Sequence, residues 1–417
     1  MRYSFNECCL GDIVSLTIDH RGLTPKKLGG DWSDNGYRAL SAKNIKTGRI
    51  VQPESIRYVD EKMYHRWMPE EICHGDILVT SEAPFGEILK WNSDEKIVLS
   101  QRLFGIRIKE GFDADYIYYY MTSDRFQGEM HARATGTTVI GLRQPELMKC
   151  RVQYPEIEIQ KKIASILRSI DQRIEINEKI NDNLSKQIRT LCDAWLNDFA
   201  PFGYDCPEDW VLTPLSSIAQ FIGGYSYKGE ELQESSIAMA TIKNFERKGG
   251  FKLDGYKEII PSGKLKPEHY ASIFDTVVAH TDLTQNADVI GNAEPILSLS
   301  GYDNIVFSMD LVKVTPTTKE LSKFLIAAIL QTQKFKNHCL SYVNGTTVLH
   351  LSKKALPEYE LMLPSGLSVL KPLDDAVAVM YQQMARNIDE NVNLAKLRDV
   401  LIPRLMSGDF DVSDIEL

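Results

Sequence analysis

The chain has 417 residues, enough for two or three domains, and its 43% hydrophobic and 25% charged content is that of cored globular domains. No apolar run approaches the roughly 18–20 residues a membrane span needs, and the opening MRYSFNECCLGD does not read as a signal peptide, so no membrane association and a cytoplasmic location are expected. The formal net charge of −9 argues against a chain that grips nucleic acid through a basic footprint of its own; such a role would borrow phosphate neutralisation from a partner. The seven Cys form no CxxC pair, which suits reduced thiols, and the adjacent Cys8 and Cys9 are expected to be small buried residues.

In chain order, residues 1–155 mix strand patterns (GDILVTS at 75–81, IVLSQRL at 97–103) with short helical stretches and turns rich in Gly, Pro, Asn and Asp. The pattern changes at Pro155. No Gly or Pro follows as far as Phe199, and Ile163, Leu167, Ile170, Ile174, Asn177, Asn181, Leu184 and Ile188 step by alternating fours and threes, the seam of a coiled coil. At a rise of 1.5 Å per residue this helix is roughly 65 Å long, so its apolar seam needs a partner. Residues 201–364 return to strands and turns (TVVAHT, IVFSMDLVKV), and residues 365–417 supply a second seam through Leu370, Val377, Met384, Ile388 and Asn391. Both seams have Asn near the middle, a device that specifies register at some cost in stability. The expected division is therefore 1–155, 156–200, 201–364 and 365–417.

The chain repeats itself. GTTVIGLRQPELMKCRVQYP (136–155) aligns without a gap to GTTVLHLSKKALPEYELMLP (345–364), and 7 of 20 positions are identical. Ala42-Lys43-Asn44 answers Ile242-Lys243-Asn244, and IVLSQRLFGIRI answers IVFSMDLVKV. Each copy is a strand-rich module followed by a long helix. Two modules on antiparallel helices suit a long, pseudo-symmetric ligand; duplex DNA, whose groove recurs every ~34 Å, is one.

The order module–helix–module–helix resembles the specificity subunits of type I restriction–modification systems over the whole chain. The most specific segments are Pro155-Glu156…Gln160-Lys161-Lys162-Ile163-Ala164 and LAKLRDVLIPRLMSGDF (394–410). The resemblance implies an α+β fold: two similar globular target recognition domains separated by two long antiparallel helices that form a coiled coil, in a pseudo-two-fold monomer. It implies double-stranded DNA as the ligand, each domain reading one half of a bipartite target. The helices would set half-site spacing and dock two methyltransferase subunits, with a motor–nuclease subunit as a further partner. No cofactor is expected in this chain; S-adenosylmethionine, ATP and Mg are expected on the partner subunits. The second copy departs from the pattern, because Pro364-Ser365-Gly366-Leu367 replaces the Pro-Glu-x-x-x-Gln opening and leaves the contacts of that helix start open.

A role without chemistry of its own agrees with the motifs. The chain has no Pro-Pro, hence no Asn/Asp-Pro-Pro-aromatic motif, and no GxGxxG, GxxxxGK[ST], GxSxG or HExxH. His280-Thr281-Asp282 is read as a strand-end hydrogen-bonding cluster, since neighbours on a strand point to opposite faces. A self-contained DNA-modifying enzyme with an unrecognised site and a protein-binding scaffold remain the alternatives.

Three repeated segments are candidates for DNA contact, because specific readout needs short polar groups at base edges and donors at phosphates. The first is Lys43, Asn44 and Lys46 with Lys243, Asn244 and Arg247, in which Asn could pair with adenine. The second is Arg133, Thr135, Gly136, Thr137 and Thr138 with Tyr342, Asn344, Gly345, Thr346 and Thr347, where Gly allows a bend that turns N–H groups outward. The third is Thr24, Lys26 and Lys27 with Tyr225, Tyr227 and Lys228, on loops that differ between the copies. Plain surface turns would account for the same three patterns.

Overall fold

The computed structural model describes residues 3–284 and 286–415; the outermost positions of the expected end segments (1, 2, 416 and 417) lie outside the described residues. The chain forms two compact units, one of residues 1–172 with 394–417 and the other of residues 173–393. Each unit therefore joins one module to stretches of both long helices, a division that cuts across the four expected segments. The reason is physical: a helix with one apolar stripe is stable only when that stripe is covered.

In the first unit an antiparallel sheet has the order Val14–Ile18, Leu103–Ile108, Ile77–Thr80, Ile88–Lys90. A second sheet sets Tyr37–Leu40 between Arg57–Val59 and an Ile97–Leu99 strand that runs parallel to it. Ile77–Thr80 and Ile97–Leu99 are buried along their whole length, so they read as apolar runs without alternation. IVLSQRL, read as one strand, is divided: Arg102, at φ 64°, turns the chain from one sheet to the other. Asn6–Cys9 pairs with Arg151–Tyr154 and leaves Cys8 and Cys9 half-buried rather than buried. Below the first sheet, the helices Ala114–Thr122 and Asp124–Arg133 share a core with Ile163 and Leu167 and with Ile402, Leu405 and Met406.

The second unit repeats this plan. Its first sheet runs Ala219–Gly223, Leu311–Pro316, Thr276–Ala279, Ala293–Pro295, and its second sets Ile237–Ala240 between Lys257–Glu258 and a parallel Asn304–Phe307. Trp210–Pro214 pairs with Glu360–Pro364, and Lys323–Leu330 and Gln333–Leu340 are the two module helices.

The first long helix is continuous over Ile157–Leu196 and the second over Lys371–Met406. Pro364 and Gly366 delay the second, and a 3₁₀ turn, Leu367–Leu370, precedes it. Leu370 thus lies in that turn and in the module core rather than on the helix. The paired helices run antiparallel. In the second unit Arg173 Nε donates to Glu390 Oε1 at 2.9 Å, Asn177 Nδ2 to Asn391 Oδ1 at 2.8 Å, and Asn387 Nδ2 to Asn181 Oδ1 at 2.8 Å. In the first unit Arg398 Nη1 donates to Asp171 Oδ1 at 2.8 Å.

Ile163, Leu167, Ile170, Asn177, Ile188 and Val377 are buried, while Ile174, Asn181, Leu184, Met384, Ile388 and Asn391 are half-buried. Asn387, 3% exposed, joins Asn177, Asn181 and Asn391 in a polar layer between apolar ones. Only one register brings these amides together, and slippage would bury them unpaired.

The helix starts show how the two copies solve one problem differently. In the first unit Gln160 Oε1 accepts the Asp113 N–H at 3.0 Å, at the residue that caps Ala114–Thr122, and its Nε2 donates to Pro155 O at 2.9 Å. In the second, where the Pro-Glu-x-x-x-Gln motif is missing, the buried Asp374 accepts both the N–H and the hydroxyl of Ser322, the cap of Lys323–Leu330.

Candidate nucleic-acid interface

The Gly-Thr-Thr loops have the same backbone in both copies. Thr135 and Gly141 exchange N–H···O bonds of 2.9 Å, and residues 136–140 between them are exposed. Asn344 and His350 pair in the same way, with residues 344–347 exposed. Gly136 and Gly345 adopt φ +117° and +114°, and a Cβ at either would stand 2.1 Å from Val139 O or 2.3 Å from Val348 O. A side chain there is sterically barred, so the shared Gly is a requirement of the turn. Arg133 does not join the loop tip, because Glu129 holds it at 3.1 Å one helical turn back. Tyr342 is likewise tied to Glu358, at 2.8 Å.

The Lys-Asn pairs divide by chemistry. Asn44 and Asn244 are 1% and 0% exposed. Asn44 Oδ1 accepts the Ser41 N–H at 3.1 Å, and its Nδ2 donates to Ser55 Oγ at 2.9 Å. Asn244 Oδ1 accepts the Thr241 N–H at 2.9 Å, and its Nδ2 donates to Lys252 O at 2.8 Å. Both amides are consumed in holding a turn, which corrects the expectation that they meet an adenine edge. Lys43, Lys46, Lys243 and Arg247, on the same turns, are exposed.

The third segment also divides. Lys26 is exposed, whereas Lys27 Nζ folds back to Gly22 O at 2.6 Å, and Thr24 Oγ1 accepts the Lys27 N–H at 3.3 Å. Tyr225 is 6% exposed and belongs to a small core; its hydroxyl donates to Glu231 Oε1 at 3.1 Å. Bonds from the Ser262 hydroxyl and the Lys228 N–H hold the Glu231 carboxyl down at about 2. Tyr225 is therefore a structural residue, and Tyr227 packs half-buried against the same cluster. Lys228 is exposed beside Glu230, at 3.7 Å.

What joins these sets is a loop that sequence reading passed over. In the first unit it is 81–87, between the strands Ile77–Thr80 and Ile88–Lys90. At one end the Leu142 N–H donates to Ser81 O at 3.0 Å, which fixes the Gly-Thr-Thr turn. At the other, Glu87 Oε2 accepts the N–H of Thr47 at 2.6 Å, which fixes the Lys46 hairpin. In the second unit Thr281 and Asp282 pair with His350 and Leu349, while Asn292 Nδ2 donates to Glu246 O at 2.9 Å beside Arg247.

The buried Asp282 accepts N–H groups from Thr284 at 2.7 Å and Val289 at 2.9 Å, and the Thr281 hydroxyl bonds Asp310 at 3.0 Å. His280 meets none of these carboxylates in a catalytic pair; burial, with the charges of His350 and Lys353, lowers its pKa. In each unit the exposed Lys/Arg turn and the Gly-Thr-Thr loop thus flank one connecting loop. The equivalent positions are Ser81 and His280, whose carbonyls accept the Leu142 and Leu351 N–H groups, and because they share no residue type no repeat marked this loop in the sequence.

A strand-rich module that leads into a long helix and gathers its loops in this way is a DNA specificity domain: residues 4–186 match the family model for the type I restriction modification DNA specificity domain. The curated proteins that the chain resembles are type I restriction enzyme specificity subunits. Among its relatives, the type I restriction enzyme MjaIX specificity subunit of Methanocaldococcus jannaschii is 22% identical over 363 residues, covering 82% of this chain and 79% of the relative. The HindI specificity subunit of Haemophilus influenzae is 21% identical over 335 residues, covering 62% and 68%. The crystal structure of a type I system S subunit from M. genitalium shares the fold at a TM-score of 0.54 and 15% identity, over 97% of this chain and 96% of that one. No helix among the described residues is long and apolar enough to cross a membrane.

Proposed function

We propose that the chain is the non-catalytic specificity subunit of a type I complex, in which each module reads one half of a bipartite duplex target. The long helices set the spacing of the half-sites and dock two methyltransferase subunits. S-adenosylmethionine belongs to those subunits, and ATP and Mg to a motor–nuclease subunit. The observation that carries this reading is one strand order repeated in two units whose exposed loops differ in sequence. A common scaffold with divergent loops is what two half-sites of different sequence require.

The contacts are assigned to the exposed residues: Lys26, Lys43, Lys46, Thr135, Thr137 and Thr138 in the first module, and Lys228, Lys243, Arg247, Asn344, Thr346 and Thr347 in the second. Net negative charge leaves the chain a weak DNA binder alone, and the methyltransferase subunits supply the missing positive field. The test is methylation mapping with the assembled complex. Replacing one module by that of a relative with a different target should change one half of the sequence methylated and leave the other half as it was, and an unchanged target refutes the reading. S-adenosylmethionine binding by the isolated chain would favour a self-contained enzyme. Removing seven residues within 170–190 shortens the helix by ~10.5 Å in phase with its seam, and should shorten the non-specific spacer.

A further inference from the structure

The second module carries a buried carboxylate where the first has an apolar side chain. In matching strand pairs, Leu78 faces Leu89 in the first unit and Val277 faces Glu294 in the second. A leucine 7% exposed in one copy is a glutamate 8% exposed in the other. Such a group persists only where partners replace its lost hydration.

Three elements supply them. The Gly250 N–H donates to Glu294 Oε1 at 2.6 Å, Gln331 Nε2 donates to Oε2 at 2.7 Å, and Tyr381 Oη donates to Gln331 Oε1 at 2.8 Å. Gly250 closes the turn that presents Arg247, its carbonyl accepting the Glu246 N–H at 2.9 Å. Tyr381 lies on the second long helix. Arg189, on the first, has Nη1 3.9 Å from where a Cβ on Gly249 would stand.

We propose that Glu294 is a positioning residue for recognition by the second module: its carboxylate fixes the Arg247 turn against both long helices and so selects what Arg247 can reach. The proposal rests on the reading that this module contacts DNA. Arg247 is steered from its other side by Asp288, at 3.7 Å. Lys336 Nζ anchors that loop by donating to Asp288 O at 2.9 Å and Asn292 Oδ1 at 2.7 Å. The turn is therefore held from two directions, and Glu294 is the hold that connects it to the helices.

The same geometry makes the hold sensitive to pH. Both direct neighbours of the carboxylate are donors, and a protonated acid finds an acceptor only if the Gln331 amide rotates, which gives up one of the two donations. Burial raises the acid to about 7, opposed by the Gly250 N–H, the Arg189 charge and Gln331, with Glu246 adding to the rise. Arg189, Glu246 and Tyr381 are the charged or titratable groups facing it from the first helix, the turn and the second helix. Tyr381, buried and shifted well upward, stays neutral.

The test uses the full chain assembled with its methyltransferase subunits and a duplex library randomised in both half-sites. At about pH 8 the wild type should select bases in both halves, and at about pH 6 its preference in one half should fall. Glu294→Gln and Glu294→Leu should keep one half and lose roughly tenfold in the other, the loss expected for one hydrogen bond to a charged group. Arg247→Ala should affect that same half, and Glu294→Leu should show no pH dependence there. Leucine occupies the equivalent site in the first module, so this variant is expected to fold. Unchanged preference in both variants, or equal loss in both halves, overturns the proposal. A wild type that selects no bases in either half refutes the recognition reading itself, and this proposal with it.

Discussion

Replacing Gly136 or Gly345 by alanine is the sharpest perturbation of the candidate interface. The added Cβ would stand 2.1 Å from Val139 O in one loop and 2.3 Å from Val348 O in the other. Carbon and carbonyl oxygen approach to about 3.3 Å at closest, so the turn must open by about 1 Å. Holding alanine at these dihedrals adds strain of about 1–3 kcal/mol. Both loops are exposed, so the strain is relieved by local rearrangement and global stability falls by no more than about 3 kcal/mol. A shift of about 1 Å is enough to take N–H and hydroxyl donors out of the 2.7–3.2 Å range of a hydrogen bond to phosphate.

Selection of randomised duplexes by the assembled complex, with urea unfolding of the chain as control, provides the assay. Gly136→Ala should lower preference in one half-site by about tenfold, and Gly345→Ala in the other, each leaving the opposite half intact. Wild-type selectivity in both variants would refute the assignment of these loops to DNA. So would loss of both halves from one substitution.

Other substitutions separate structure from recognition. Asn44→Ala and Asn244→Ala each strand buried groups and should cost about 1–3 kcal/mol in urea unfolding, while the bases selected stay the same. Gln160→Ala and Asp374→Ala should each destabilise their own unit by about 1–2 kcal/mol through the lost support of a helix cap, seen as earlier amide exchange in 114–122 or 323–330. For Glu231 the sign is that of a carboxylate held below its ordinary value. Its contribution is full above about pH 4.5 and is lost as pH falls through about 2, so acid unfolding of wild type and Glu231→Gln should converge across that range.

Much of the architecture was legible because it is periodic. A seam at 3.5-residue spacing without Gly or Pro can hardly form anything but a long helix, and the Gly-Thr-Thr repeat marked the two modules before any contact was known. The helix limits, Leu196 and Lys371, depended on local turns at Phe199 and at Leu367–Leu370 that seam spacing does not record. The site was less legible. Asn44 and Asn244 repeat for the same reason that recognition residues could repeat, and only burial shows that their amides close turns. The loop 81–87 carried no distinctive motif. Its importance comes from lying between two segments far apart in the chain.

The order of residues alone determined that this protein has two related modules, two long helices and three of the four register-setting asparagines, since period and propensity act locally; Asn387, off the predicted seam, was placed among them only by the packing of the helices. Tertiary structure alone decided which polar side chains face solvent, that Asp374 stands in for Gln160, and that Glu294 sits where Leu89 does. Those outcomes depend on which strands and helices meet, and a carboxylate's surroundings cannot be read from its neighbours in sequence.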